Sequence, residues 1–190
     1  GKYAGYLLLN DEIKENSLAT IQTLHKMGVK SVMLTGDKKE SALKVANELQ
    51  IDEVHSELLP EDKTNLLKEK LTGEKAVAYV GDGINDAPSI ALADIGVAMG
   101  GAGSDLAVEN ANIVIMNDDV SKIVTAKKIA KATRNRAIFN VVASLLIKLA
   151  IALCSILIPS FPLMIAVFAD TGVTLLMVAS SVSLLAYRVK

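Results

Sequence analysis

Between Ala137 and Tyr187 the chain carries only two charged side chains, Lys148 and Asp170. Of its 21 acidic residues, all but Asp170 precede that stretch; of its 20 basic ones, all but Lys148, Arg188 and Lys190 do. One water-soluble core cannot absorb so long an uncharged run at one end of a chain. The runs 137–158 and 163–187 are each long enough to cross a hydrocarbon layer of ~30 Å at ~1.5 Å per residue. Pro159-Ser160-Phe161-Pro162 separates them and suits a tight turn. The pattern predicts a two-helix transmembrane hairpin. Arg134 and Arg136 flank its entry, and Arg188 and Lys190 its exit. An excess of positive charge marks the cytoplasmic side, so both outer ends are expected there and the turn on the far side. Two buried core helices are the alternative, but the polar part offers too little sheet to cover them.

A charged side chain at the centre of a span costs roughly 2.5–3.5 kcal/mol, so neither Lys148 nor Asp170 is expected to face lipid. Counted from the turn at ~1.5 Å per residue, they sit roughly 19 and 14 Å away, a gap that the lysine stem bridges. They are therefore expected to pair across the hairpin. The pair is either a static bridge that fixes helix register or a transport site. In the second case Asp170 coordinates a divalent cation, and Lys148 neutralises the carboxylate once the cation has left.

The polar part has its own signature. Residues Ala76–Val80 read as a buried parallel strand. They run into Gly81-Asp82-Gly83-Ile84-Asn85-Asp86-Ala87-Pro88. The glycines allow a sharp turn and close approach of backbone to a ligand. Asp82, Asn85 and Asp86 gather hard oxygen atoms at the strand's carboxyl end, chemistry that suits Mg²⁺ completed by water and phosphate. A bare Gly/Asn/Asp turn is the competing reading. Further strands are expected at Gly5–Asn10, Val29–Leu34, Glu53–His55, Ile95–Met99 and Asn112–Met116. Helices are expected from Asn16 or Ser17 to about His25, and over Lys38–Leu49, Pro60–Leu71 and Ala87–Leu92. Alternation of this kind predicts βαβ units and a parallel sheet.

Thr35-Gly36-Asp37 closes the Val29–Leu34 strand, offering a hydroxyl and a backbone amide to a phosphoryl group at a helix start. Lys63, in the first turn of the Pro60 helix, supplies positive charge for the same oxygens. Each of these is weak alone, since a capped loop or a solvated lysine would look the same. A net charge of −1 gives no electrostatic case for nucleic acid. A single cysteine, Cys154, excludes an internal disulfide and a Cys-x-x-Cys metal site. There is no signal peptide, and the chain opens in mid-pattern at Gly5-Tyr6-Leu7-Leu8-Leu9, so it reads as the C-terminal piece of something longer.

Together these segments resemble the haloacid dehalogenase-like Rossmannoid fold, and in particular the phosphorylation domain of P-type cation pumps. The likeness rests on Thr35-Gly36-Asp37, Pro60-x-x-Lys63 and Gly81 to Pro88. The continuation Ala91-Leu92-Ala93-Asp94-Ile95-Gly96-Val97-Ala98-Met99-Gly100 looks like the heavy-metal branch. The resemblance implies an α/β phosphorylation domain, present in part over 1–118. A polar stalk helix over 119–136 would follow, able to carry motion into the membrane, and then the hairpin over 137–190 with a cytoplasmic tail. It implies that Thr35, Gly36, Asp37, Lys63 and Asn85 serve phosphoryl transfer, that Asp82 and Asp86 hold Mg²⁺, and that ATP is the phosphoryl donor. Asp62-Lys63-Thr64 spells the start of the family's Asp-Lys-Thr-Gly-Thr nucleophile motif. Asn65 follows instead of glycine, however, and no hydrophobic strand precedes it, so Asp62 is rejected. The nucleophile, the nucleotide-binding insertion and a Cys-Pro-Cys metal motif are expected in the remaining N-terminal part of the pump.

Ala169-Asp170-Thr171-Gly172, with a lysine in the preceding span, looks like the exporters of Zn²⁺, Cd²⁺ and Pb²⁺. Met177-Val178-Ala179-Ser180-Ser181 resembles instead the Met-x-x-Ser-Ser of Cu⁺ exporters, where a thioether suits the soft ion. Those relatives carry a Tyr-Asn pair where this chain has Ile147-Lys148, and a carboxylate beside a lysine favours a divalent ion. The expected function is ATP-driven export of Zn²⁺, Cd²⁺ or Pb²⁺ by an integral protein of the plasma membrane, with Asp170 as metal ligand, Lys148 as counter-ion and Met177 as a further candidate ligand. A Cu⁺ exporter, a membrane-anchored phosphatase and a non-catalytic membrane scaffold are the alternatives.

Overall fold

Gly96 shows how tightly the polar part is built. A Cβ there would lie 2.3 Å from the Ile90 carbonyl oxygen, so only glycine lets the helix of Ile90 rest directly on the strand of Gly96. The structure, a computed structural model, describes residues 13–73, 75–81, 84–100, 105–117, 119–158 and 162–186. The expected strand Gly5–Asn10 lies outside them.

The elements run α1 (Ser17–Lys26), β1 (Val32–Leu34), α2 (Lys39–Leu49), β2 (Glu53–His55), α3 (Pro60–Leu71) and β3 (Ala78–Gly81). After a 3₁₀ turn at Ile84–Asp86 come α4 (Ala87–Leu92), β4 (Ile95–Met99), α5 (Asp105–Asn110), β5 (Ile113–Ile115), α6 (Ser121–Leu157) and α7 (Leu163–Val182). A 3₁₀ turn at Ser183–Ala186 follows α7. All described strand pairs are parallel: β1 with β2, and β3–β4–β5 in that order. The βαβ expectation therefore holds, with short strands.

β4 is the central strand of its sheet, and its burial shows it. Val97 and Met99 pack with Ile115 on one face, while Ala98 joins Leu67, Tyr79, Ala87, Ile90 and Ala107 on the other. Alternate residues reach opposite faces of a strand, so apolar residues at successive positions mean cover on both sides. Asn112 extends the β4–β5 ladder, its side-chain oxygen accepting from Gly96 N at 2.7 Å while its own backbone N–H donates to Gly96 O at 2.9 Å. Replacing Gly96 by alanine is expected to destabilise the protein by about 1–3 kcal/mol, the usual cost of overpacking against atoms that cannot move. A thermal melt of the purified full chain measures it, and an unchanged midpoint would contradict the contact.

β1 is shorter than the expected Val29–Leu34. Gly28, at φ +75°, ends α1 in the left-handed region, and Val29 N donates back to Leu24 O. Ser31 is occupied by Asp52, whose carboxylate accepts its backbone N–H at 2.7 Å and its hydroxyl at 2.9 Å, with His25 Nε2 3.0 Å away. The Ser31 backbone N–H and then its hydroxyl hold the Asp52 carboxyl below its ordinary range. This trio of Ser, His and Asp fastens the amino ends of β1 and β2. His25 Nε2 also lies 3.0 Å from Ser31 Oγ, which closes the trio. At the start of α1, Asn16 makes no side-chain cap. Its carbonyl instead accepts from both Thr20 N–H and Thr20 hydroxyl. α5 has no counterpart in the expected elements, yet its Ala107 is fully buried in the core.

The chain divides into two compact units, 1–124 and 125–190. α6 is one helix of 37 residues that begins in the first unit and supplies the first helix of the second. α6 and α7 are long and apolar enough to cross a membrane. Within 125–186, only Asn140 and Val173 are buried among the described residues. The apolar side chains of the second unit therefore point outward, as those of lipid- or helix-facing spans do and those of a soluble core do not.

Candidate phosphoryl-transfer and metal-transport sites

In the first unit the carboxyl ends of β1 and β3 carry the expected polar residues. Thr35 leaves β1 with its N–H bonded to His55 O and its carbonyl accepting from Leu58 N. Its hydroxyl donates to Asp37 Oδ2 at 2.7 Å, and Asp37 N–H donates to Thr35 Oγ1 at 3.1 Å. Asp37 O accepts from Glu57 N, a residue held at φ +59°. A Cβ on Gly36 would approach Leu58 O to 3.2 Å, so the loop lies tightly on the segment that leads into α3.

That segment joins the two halves of the site. Leu58 is bonded to Thr35, and Pro60 opens α3, where the missing N–H costs nothing. One turn on, Lys63 Nζ reaches Asp86 Oδ1 at 3.2 Å, with the two side chains only 20% and 15% exposed. Tyr79 hydroxyl donates to the same Oδ1 at 2.8 Å. Asp86 is brought in by Gly81, where a Cβ would lie 2.6 Å from Asp86 Cβ and 3.0 Å from Asp86 Oδ2. Asn85 is exposed on the 3₁₀ turn. Asp82 lies outside the described residues, among which no cluster of three His, Cys, Asp or Glu side chains forms. The hard carboxylate of Asp86, drawn over a glycine at a strand end, nevertheless fits Mg²⁺, which takes one or two protein carboxylates and fills its other positions with water and phosphate.

Asp62, rejected as a nucleophile, caps α3. Its Oδ2 accepts the Leu59 N–H at 2.9 Å, satisfying one of the donors left over at the start of α3. A carboxylate spent on capping is not a nucleophile. On the far side of Thr35, Glu53 is bonded to Lys70 and His55, and those bonds, Lys70 first, hold its carboxyl below the ordinary range.

In the second unit Lys148 Nζ and Asp170 Oδ1 stand 2.7 Å apart. The side chains remain 45% and 60% exposed, so the two described helices join the pair without covering it. Nearer the outer ends of the hairpin lies a second polar cluster. Asn140 Nδ2 donates to Met177 O at 3.3 Å and Ser181 Oγ at 3.1 Å, while Asn140 Oδ1 accepts from Ser180 Oγ at 3.0 Å. Arg136 donates to Ser180 Oγ at 3.2 Å. Met177 thus contributes its carbonyl to the helix contact. Its Cα stands two turns along α7 from Asp170, a rise of about 10 Å.

Tyr79 and Asn140 were not singled out by the sequence. The test that marks Lys148, a polar side chain inside an apolar run, would also have marked Asn140.

Residues 1–94 match the family described as haloacid dehalogenase-like hydrolase. Over nearly the whole length the chain is 48% identical to a zinc-transporting ATPase of Synechocystis sp., covering 95% of this chain and 25% of that protein. It is 45% identical to a cadmium, zinc and cobalt-transporting ATPase of Bacillus subtilis, covering 100% and 27%. The crystal structure of a zinc-transporting PIB-type ATPase in its E2·Pi state matches with a TM-score of 0.82 at 38% identity, over 92% of this chain and 28% of that one. The chain belongs to the heavy-metal-translocating P-type ATPases. It spans about a quarter of the length of the relatives it matches.

Proposed function

We propose that this chain is the C-terminal part of an ATP-driven exporter of divalent heavy-metal ions, Zn²⁺ or Cd²⁺ foremost, working through an aspartyl phosphate formed elsewhere in the pump. The observation that carries the reading is the 2.7 Å contact of Lys148 with Asp170 in an otherwise uncharged hairpin. A charged pair in a span is costly to keep, and such residues mark ion pathways. Asp170 binds the cation, and Lys148 takes its place on the carboxylate after release, so that the carboxylate is not left unpaired in the span once the ion has gone. Other spans of the pump cover the pair. A carboxylate facing an ammonium suits a divalent ion better than Cu⁺, and Met177 is a further candidate ligand. The relatives' zinc and cadmium transport agrees with this choice.

In the first unit the Thr35 hydroxyl turns from Asp37 to a phosphoryl oxygen, the Gly36 amide approaches the same group, and Lys63 offsets its charge. Asp82 and Asp86 hold Mg²⁺, with Asn85 beside them. When bound, Mg²⁺ supplies a hard positive charge that polarises the phosphoryl oxygens. The hairpin lies in the plasma membrane with both outer ends cytoplasmic, by the placing of Arg134 and Arg136.

The test is ATP hydrolysis by the full-length pump in sealed vesicles. Zn²⁺ and Cd²⁺ are expected to stimulate it and to cross the membrane with it, whereas Cu⁺ is not. Stimulation by Cu⁺ alone, or by no metal, would overturn the reading.

A further inference from the structure

We infer that Tyr79 is a positioning residue of the phosphoryl site, its hydroxyl fixing which oxygen of Asp86 is left to face a divalent cation. This rests on the proposed role of Asp86 as a Mg²⁺ ligand. The geometry starts from strand alternation: Tyr79 and Gly81 lie two apart on β3 and so share a face. Where a side chain at position 81 would stand there is none, and the Asp86 carboxylate occupies that space. Its Oδ1 is directed back along the strand to the Tyr79 hydroxyl, 2.8 Å away, and accepts Lys63 Nζ at 3.2 Å as well. Oδ2 stays over Gly81, beside the point where the chain enters Gly81-Asp82. The two oxygens of one carboxylate are thereby given different work.

Tyr79 suits this task because its ring is anchored. It is 8% exposed and belongs to the core with Leu67, Ile90 and Ala98. A buried phenol takes a hydrogen-bond partner, and this one donates to a carboxylate at the site. A lysine on a long stem cannot fix a carboxylate plane alone, whereas a rigid phenol donor opposite it can. Lys63 also has to be available to a phosphoryl group. With Tyr79 present, Asp86 keeps an oriented Oδ1 when Lys63 turns away.

Tyr79→Phe in the full-length pump tests this, since it removes one oxygen atom and keeps the ring in the core. Outer-shell partners of metal ligands are worth about 10–100-fold in affinity, so Kd for Mn²⁺, used as the probe and followed by the spectrum of the free ion, is expected to rise about 10-fold. The Mg²⁺ concentration for half-maximal ATP hydrolysis should rise in parallel, with the maximal rate within about twofold of wild type, the mark of lost ground-state binding. Stimulation by Zn²⁺ should keep its midpoint. Unchanged Mn²⁺ binding and Mg²⁺ dependence, with only a lower melting temperature, would overturn the inference and leave Tyr79 a core residue. Asp86→Asn separates it from the reading beneath. If Asp86→Asn also leaves Mn²⁺ binding unchanged, the ion assignment itself falls, and with it the role of Tyr79. If Asp86→Asn weakens Mn²⁺ and Tyr79→Phe does not, only the Tyr79 inference fails.

Discussion

Asp170→Ala in the full-length pump is expected to lower Zn²⁺-stimulated ATP hydrolysis on the order of 100-fold or more, equivalent to about 2.7 kcal/mol or more of lost stabilisation. The mutation removes the only acidic side chain of the hairpin and leaves Lys148 without the carboxylate it meets at 2.7 Å. An unpaired ammonium in a span costs roughly 2.5–3.5 kcal/mol, so the lysine is expected to move toward whatever polar surface the other spans provide. Lys148→Ala makes the complementary test. It leaves Asp170 able to take the ion but without its internal neutraliser, so metal should still bind while release and turnover slow. A static register bridge predicts something different: the two single mutants would be equally impaired, and the double mutant with a well-packed apolar pair would recover. Zn²⁺ stimulation unchanged in Asp170→Ala would remove the residue from the transport path.

The parts of this chain that were legible share one trait: the residue's chemistry conflicts with its surroundings in the sequence itself. Lys148 and Asp170 stand out in an apolar run, and Asp86 stands out after an apolar strand. Helix and strand bounds at Pro60, Ala87 and Ile95 were likewise marked by proline, or by a short apolar run. What could not be read depended on contacts across space. Tyr79 passes for one more strand residue until Asp86, seven positions on, folds back over Gly81 to meet its hydroxyl. Val29 looks like strand, but the left-handed Gly28 and the bond to Leu24 hold it in the loop. Met177 carries a recognisable motif, yet the helix pairing uses its carbonyl, which every residue possesses. α5 is too short for a period to show, and its buried Ala107 is defined by the neighbours it packs on.

Lys63→Ala should slow phosphoryl turnover by about 10²–10³-fold, the usual cost of losing one preorganised charge aimed at a reacting group. The side chain is placed for that task by three independent features. Pro60 starts α3 where it does, the Leu58–Thr35 bond ties that start to the β1 loop, and Asp86 holds the ammonium at 3.2 Å in a setting where both partners are mostly buried. Removing the lysine leaves Asp86 hydrogen-bonded to Tyr79, so the carboxylate keeps one donor and the core cluster keeps its packing. The loss should therefore fall on rate and not on fold. Lys63→Arg is expected to recover little, because a planar guanidinium cannot take the place of a compact ammonium within the 3.2 Å contact without displacing the Tyr79–Asp86 bond. Rapid-quench measurement of phosphoenzyme formation and decay would resolve the step. A turnover rate within threefold of wild type, with normal phosphoenzyme kinetics, would show that the ammonium only neutralises Asp86 and plays no part at the phosphoryl group.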